Sequence, residues 1–321
     1  MTITLAEAKP LSQDKLTGFV IDEFRKDPIL DSMVFDNTVK PQGGETLAYV
    51  YNRVTTLPTA AGRAINSEYT PQETKTTAYT VNLKPFGGSF QLDRVIINHE
   101  KQVLDHIQFQ IQQKVQATRA LFADWFVNGD SGATGSLSFD GINDAITGSS
   151  TEVTPGSAVD LSTSSNIDSN WKVFLDYLRK MRAKLDGAPT LYMMNRDMFA
   201  VFQSVMDRAG INLASKQNYG EEVLQWGSSL VVAVGDKPGT SNPIISTSTA
   251  TATSGHTSIF AARIGLDGVH AVSPDGGSLV EVFLPDLKVP GAVKTGEVEM
   301  VAAVAVKATR SAGVLRKIKI G

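Results

Sequence analysis

The chain has no cysteine, only four histidines and only three tryptophans in 321 residues. Disulfides, thiolate nucleophiles and Cys-ligated zinc or iron are therefore excluded, and assembly inside a cell is compatible with the composition. Long apolar runs are missing too. The longest, VAAVAV at 301–306, is far short of the about 20 residues that a membrane-spanning helix requires. The start, MTITLAEAK, carries charge where a secretory signal needs an apolar core. The expectation is a soluble chain, in no membrane and not exported by a signal peptide. What is present is 42 % hydrophobic and 20 % charged residues, the makeup of a folded protein of about two domains.

The net charge of −3 is unevenly spread. From Lys288 onward there are seven Lys/Arg against two Glu, leaving 23 against 31 in the remainder. A basic tail of this kind suits contact with nucleic acid or an acidic neighbour, or it guards a strand edge against aggregation. Arg316, Lys317 and Lys319 interleave with Leu315, Ile318 and Ile320 without making one basic face, which favours the second role.

Residues 11–26, LSQDKLTGFVIDEFRK, put Leu16, Phe19, Val20 and Phe24 at helical spacing, with Ser12 as N-cap and Asp27-Pro28 as the stop. The following PILDSMVFDNTVKPQGG has no period and reads as an extended arm. TLAYVYNRVTTL (46–57) and ETKTTAYTVNL (73–83) are rich in Thr, Tyr and Val and are separated by turn formers, the pattern of one long β-hairpin. Thr74, Thr76, Thr80 and Asn82 leave one of its faces polar. An isolated two-stranded ribbon is marginal in water, so stability is expected from contact with another subunit.

Val103, Ile107, Ile111, Val115, Thr118, Phe122 and Trp125 then recur every three or four residues, predicting a helix of about 30 residues and roughly 45 Å. Gln108, Gln110, Gln112, Gln113 and Gln116 give it an amide-rich face suited to close contact. Residues 143–168 read as Ser/Thr/Gly-rich loops and short strands. Beyond them NWKVFLDYLRKMRAKL (170–185) is a helix, APTLYMMN a buried strand, and RDMFAVFQSVMDRAG a helix stopped by Gly210, an α/β order. SLVVAVG, TSIFAARIG and GSLVEVFL are further strands, NPIISTSTATATSGHT is a polar loop, and GEVEMVAAVAVKATR and GVLRKIKI are two apolar C-terminal strands.

Several short stretches resemble enzymatic motifs. The glycine-rich NGDSGATG follows a helix and lacks lysine, so it is not a phosphate loop. A calcium loop starting at Asn128 would need Gly and Glu where Ala133 and Phe139 stand. His99-Glu100 lacks the second histidine of a zinc protease, since Val103 occupies that position. His99 and His106 share a helical face without a third donor, and His256 and His270 have no partner in the sequence pattern. No metal, cofactor or catalytic residue is expected. Ser12-x-x-Lys15, Ser164-Ser165-Asn166 and Lys294-Thr295-Gly296 follow the order of penicillin-binding serine acyltransferases, but too little chain precedes Ser12 to build the sheet that shields such a nucleophile.

The order helical arm, Thr-rich hairpin, long spine helix, α/β unit and returning C-terminal strands resembles the major capsid proteins of tailed double-stranded DNA bacteriophages, the Hong Kong 97-type fold. The likeness is carried locally by WFVNGD with SFDGI (Trp125–Asp130, Ser138–Ile142) and by DPILDSMVF (Asp27–Phe35). It implies an α+β fold: an N-terminal arm at 1–44, an extended hairpin loop at 45–85, and a peripheral domain at 86–165 whose spine helix runs from about 97 to 128. An axial domain at 166–287 and C-terminal strands at 288–321 returning to the peripheral domain complete it.

The resemblance further implies a non-enzymatic shell protein in the virion, assembled in the bacterial cytoplasm as hexamers and pentamers of itself around packaged DNA. Because no charged leader precedes the arm, a separate scaffolding protein, or none, is expected, and the resemblance implies a portal protein and a decoration protein as further partners. Phe35, Arg63, Tyr69, Gln108 and Gln112 are the expected intersubunit contacts. No lysine stands in residues 57–73, so no isopeptide cross-link is expected at the hairpin tip. An encapsulin, a nanocompartment shell of the same fold, is the rival reading, to which Leu16, Phe19, Val20 and Phe24 could contribute a cargo groove.

Overall fold

The computed structural model describes residues 28–38, 47–56, 59–95, 103–218, 221–247, 255–274, 281–286 and 289–321. The predicted helix at 11–26 with Ser12 and Lys15, residue His99 and the centre of the polar loop at 248–254 lie outside them. In chain order the elements are α1 (Pro28–Ser32), β1 (Phe35–Asn37), β2 (Ala48–Thr56), β3 (Lys75–Asn82), β4 (Lys84–Asp93), α2 (Val103–Asn128), α3 (Ile142–Ile146), β5 (Glu152–Val153) and β6 (Val159–Asp160). There follow α4 (Ser164–Lys184), β7 (Leu191–Met194), α5 (Arg196–Arg208), β8 (Ala214–Asn218), β9 (Glu221–Trp226), β10 (Ser229–Ala233), β11 (His256–Ala262), β12 (Val269–Ser273), β13 (Glu281–Phe283), β14 (Val293–Val306) and β15 (Ala312–Lys319).

Among the described residues these strands make three sheets. One runs β1-β12-β14-β13, with β4 also paired to β14 over ten residues from Val293↔Asp93 to Ala302↔Lys84. The second runs β5-β15-β11-β7-β10-β9-β8, with β6 beside β15, and the third is the hairpin β2-β3 alone. The two C-terminal strands pair with different sheets. Strand β14 joins β4, whereas β15 inserts between β11 and the short β5 and β6 of the second sheet. Both stretches are apolar, and that property fixes burial without naming the sheet that provides it.

Strand β7 divides the core. Its four residues LYMM are all buried, and since alternate side chains leave opposite faces of a strand, Leu191 and Met193 enter one core while Tyr192 and Met194 enter the other. The first core also holds Phe86, Phe122, Phe126, Phe139, Ile142 and Met300. The second lies under α4 and α5, with Phe174, Leu178, Met181 and Phe202. A continuous apolar run is what a strand covered on both sides requires.

Helix α4 begins six residues before the predicted start. The Thr163 hydroxyl accepts the Asn166 N–H at 3.2 Å, and Ile167 opens the buried stripe continued by Phe174, Leu175, Leu178 and Met181. Helix α5 is capped by Asn195, whose side-chain oxygen accepts the Met198 N–H at 2.7 Å, and it ends at Gly210 with φ +67°. Strand β4, unexpected from a stretch holding Pro85, Gly87 and Gly88, exists because glycine allows backbones to touch. A Cβ on Gly87 would lie 2.0 Å from the Val298 carbonyl oxygen.

The break after the spine helix is a backbone crossing. The Gly129 N–H donates to the Trp125 carbonyl, and the Gly141 N–H donates to the Gly129 carbonyl at 2.8 Å. Asp130 Oδ1 accepts the N–H groups of Gly132 and Ala133, which satisfies the turn internally, as expected of a helix end rather than a ligand cradle.

Candidate assembly surfaces

The hairpin rises from a root of hydrogen bonds and aromatic rings. The Tyr49 hydroxyl donates to Asp36 Oδ2 at 2.7 Å, and the Tyr51 hydroxyl donates to the Val306 carbonyl at 3.0 Å. Arg53 donates to the carbonyls of Val306 and Lys307, and its guanidinium stands 4.3 Å from the Tyr79 ring centroid. Cross-strand Tyr51 and Tyr79 stack at 5.9 Å. The root of the ribbon is thus tied through β2 to β1 and to the end of β14. Burial raises the pKa of Tyr49, and its bond to the Asp36 carboxylate raises it further. Burial would raise Asp36 as well, but the Tyr49 hydroxyl, the Asn37 N–H and the Lys307 ammonium outweigh it and hold the carboxyl below its ordinary value.

Away from the root the hairpin has no core. Leu47, Val50, Val54, Ile65 and Tyr69 are exposed, Ile65 by 91 %. The tip is shaped by its own contacts. Thr59 and Gln72 bond across it, Ser67 closes a turn on the Ala64 carbonyl, and Asn66 takes φ +69°. Arg63 donates to the Ser67 carbonyl at 3.1 Å and lies 5.4 Å from the Tyr69 ring centroid. The structure therefore brings the expected contact residues Arg63 and Tyr69 together on one exposed knob.

The other expected contacts stand apart. Gln112 is exposed on α2, and the side chain of Gln108 lies outside the described residues. Phe35 is half-buried and packs 6.2 Å from Phe122 inside its own subunit. Along α2, Thr118, Phe122, Phe126 and Val127 are buried, whereas Ile111 and Val115 are only half-covered. The predicted stripe is thus core from Thr118 onward and open to further cover at Ile111 and Val115. A surface that sequence pattern missed is the edge strand β13, where Val282, Phe283 and Leu284 are exposed and Glu281 pairs directly with Glu299 of β14. Like charges placed opposite one another weaken a strand pair.

The basic tail proves to be internal. Arg316 pairs with Glu152 and donates to Asn143 and Thr147, Lys319 pairs with Asp160 at 3.0 Å, and Arg310 donates to the Lys184 carbonyl. Because β15 is not an edge, guarding one is not its role. Between Thr257 and Ile259 the β11-β15 register gains a residue on β15, and Lys317 there has φ +55°. Such a bulge turns Arg316 and Lys317 both outward while Leu315 and Ile318 stay buried. It accounts for the broken alternation in the sequence.

Among the described residues the second and third parts of the acyltransferase pattern stand apart. Ser164-Ser165-Asn166 starts α4, while Lys294-Thr295-Gly296 lies on β14 in another sheet, with Lys294 buried and donating to the Val289 carbonyl. Among the described residues no three His, Cys, Asp or Glu side chains gather as a metal site, and no helix is long and apolar enough to cross a membrane.

No family model matches the sequence, and no curated protein is similar to it. Solved structures are similar over nearly the whole chain. The encapsulin of the holo-SrpI complex from Synechococcus elongatus PCC 7942 superposes with a TM-score of 0.65 at 13 % identity, over 99 % of this chain and 97 % of that one. The capsid of Myoviridae phage XM1 gives 0.57 at 13 %, over 98 % and 99 %. The chain has the Hong Kong 97-type fold. A structure of Mycobacterium phage Ogopogo gives 0.58 at 12 % identity, over 98 % and 99 %. In the terms of this fold α2 is the spine helix and β2-β3 the extended hairpin loop.

Proposed function

We propose that the protein is a non-enzymatic shell subunit, the major capsid protein of a tailed double-stranded DNA phage. The observation that carries this reading is the ribbon β2-β3, tied to the body at its root by Tyr49, Tyr51 and Arg53 and ending in the exposed knob of Arg63, Ile65 and Tyr69. A subunit alone gains nothing from holding such a ribbon in solvent, whereas a closed assembly buries it on every neighbour. Arg63, Tyr69 and Gln112 are then contacts between copies. The sheet of β4, β12 and β14 with α2 forms the peripheral region, and α4 and α5 on the second sheet form the axial region. A scaffolding protein, a portal, a decoration protein and packaged DNA are the partners this role entails.

The encapsulin superposition, with its TM-score of 0.65, favours a second reading, a nanocompartment shell. Particle content separates the two. Nuclease-protected DNA in shells purified from the native source supports the capsid, and a co-purifying enzyme without nucleic acid supports the compartment.

A further inference from the structure

His270 lies on β12 where the hairpin root meets the body. It is fully buried, and neither ring nitrogen makes a well-formed hydrogen bond, the Gly268 backbone acting only as a weak acceptor. Buried polar atoms are nearly always paired, so an imidazole left this way is held in place at a cost. The groups that face it come from three strands. Asp36 of β1 accepts the Tyr49 hydroxyl. Tyr49 of β2 sets its ring 5.6 Å from the imidazole at 77°, with Tyr51 at 6.2 Å behind it. At the end of β14, Ala305 pairs with His270 in register, and the Lys307 ammonium lies 5.3 Å from the Tyr49 ring centroid. Arg53 is already engaged by the carbonyls of Val306 and Lys307.

A neutral imidazole tolerates this buried site, and an imidazolium does not. Burial first, then the Lys307 ammonium, bring the His270 pKa from 6.5 down to about 4, against the weaker opposing pull of Asp36 and of the Gly268 backbone. Among the described residues Asp36 is the carboxylate that could compensate the new charge, and it is already committed to the Tyr49 hydroxyl. Asp36 is itself held below its ordinary pKa, so it stays ionised while His270 takes up its proton.

We propose that His270 is an acid-operated release for the hairpin. When the root of β2-β3 leaves the body the imidazolium can form, and it draws the Asp36 carboxylate from the Tyr49 hydroxyl, which opposes redocking. The open form binds the proton at the ordinary histidine affinity and the docked form does not, so acid populates the open form as pH falls below 6.5.

Because the chain lacks cysteine, spin labels can be placed at two exposed positions, Thr76→Cys on β3 and Ala183→Cys on α4. Their separation is then measured by double electron–electron resonance on the full chain, diluted with unlabelled chain. The expected result is a single narrow distance distribution at pH 7.5. By pH 4.5 its population falls at least twofold in favour of longer, broader distances, while helical circular dichroism is retained. His270→Phe, and His270→Gln should the ring repack badly, should keep the pH 7.5 distribution at pH 4.5. Tyr49→Phe should show released hairpin already at pH 7.5. An unchanged distance at pH 4.5, a distribution already broad at pH 7.5, or an equal acid response in both His270 variants overturns the proposal.

Discussion

Gly141 donates its N–H to the carbonyl of Gly129 at 2.8 Å, and at neither residue is there room for a side chain. A Cβ on Gly129 would sit 2.2 Å from the Phe139 carbonyl oxygen, and one on Gly141 would sit 2.6 Å from that of Trp125. Both obstacles are backbone, which cannot rotate away. Gly129→Ala and Gly141→Ala should each cost about 1–3 kcal/mol or more. Gly62→Ala, with open space around it, should be neutral. Urea unfolding followed by circular dichroism compares the three, and equal midpoints would refute the crossing.

Asn195 is buried and uses both ends of its amide. The oxygen caps α5 at Met198, and the NH2 donates to the Ile245 carbonyl at 3.1 Å and to Thr257 Oγ1 at 3.0 Å. Asn195→Ala removes a cap, worth about 1 kcal/mol, and strands two buried acceptors at about 1–3 kcal/mol each. A loss of at least about 2 kcal/mol in the same urea assay is expected, with Asn195→Asp only partly restoring it because a carboxylate cannot donate.

Residues Arg316 and Lys317 are neighbours with opposite expectations. Arg316 is largely covered and bonds to Glu152, Asn143 and Thr147, whereas Lys317 is exposed on the bulge. Arg316→Ala should destabilise by about 1–3 kcal/mol, chiefly by leaving Glu152 unpaired, and Lys317→Ala should stay within about 0.5 kcal/mol. Similar values for the two would remove the structural role assigned to the basic tail.

Stability should depend on pH through His270 with a definite sign. Its pKa is depressed from 6.5 to about 4 in the folded chain, so the stabilising effect of the neutral form is complete above 6.5 and is lost as pH falls toward 4. The integrated loss is on the order of 3 kcal/mol. Between pH 6.5 and 4.5 the unfolding free energy should decline more steeply in the parent chain than in His270→Phe. Parallel profiles would show that other groups set the slope.

Much of this fold is legible in the sequence because period and composition act locally. The alternation of 46–57 with 73–83, the stripe on the spine helix and the apolar LYMM each follow from which faces are covered. What escapes is set by partners far along the chain. Strand β4 is hidden behind Pro85, Gly87 and Gly88, which signal turns until β14 is seen to lie against them. The destination of β15 depends on Glu152 and Asp160, carboxylates in a stretch that reads as loop. Of the expected contacts, Arg63 and Tyr69 are found on one knob because a tip without a core leaves its large side chains exposed. Phe35 gave no local sign that Phe122 would hold it inside the subunit. Nothing in the pattern around His270 marked it, since its neighbours Asp36, Tyr49 and Lys307 are distant in sequence.

Assembly through the hairpin is what the proposed function requires. The measurement is the particle mass of the purified full chain by light scattering, with negative-stain electron microscopy of the same peak, beside a variant in which residues 59–74 are replaced by a short turn. The full chain should form capsomers or closed shells, and the variant should remain small with an unchanged unfolding midpoint. A monomeric full chain, or shells of normal size from the variant, would contradict it.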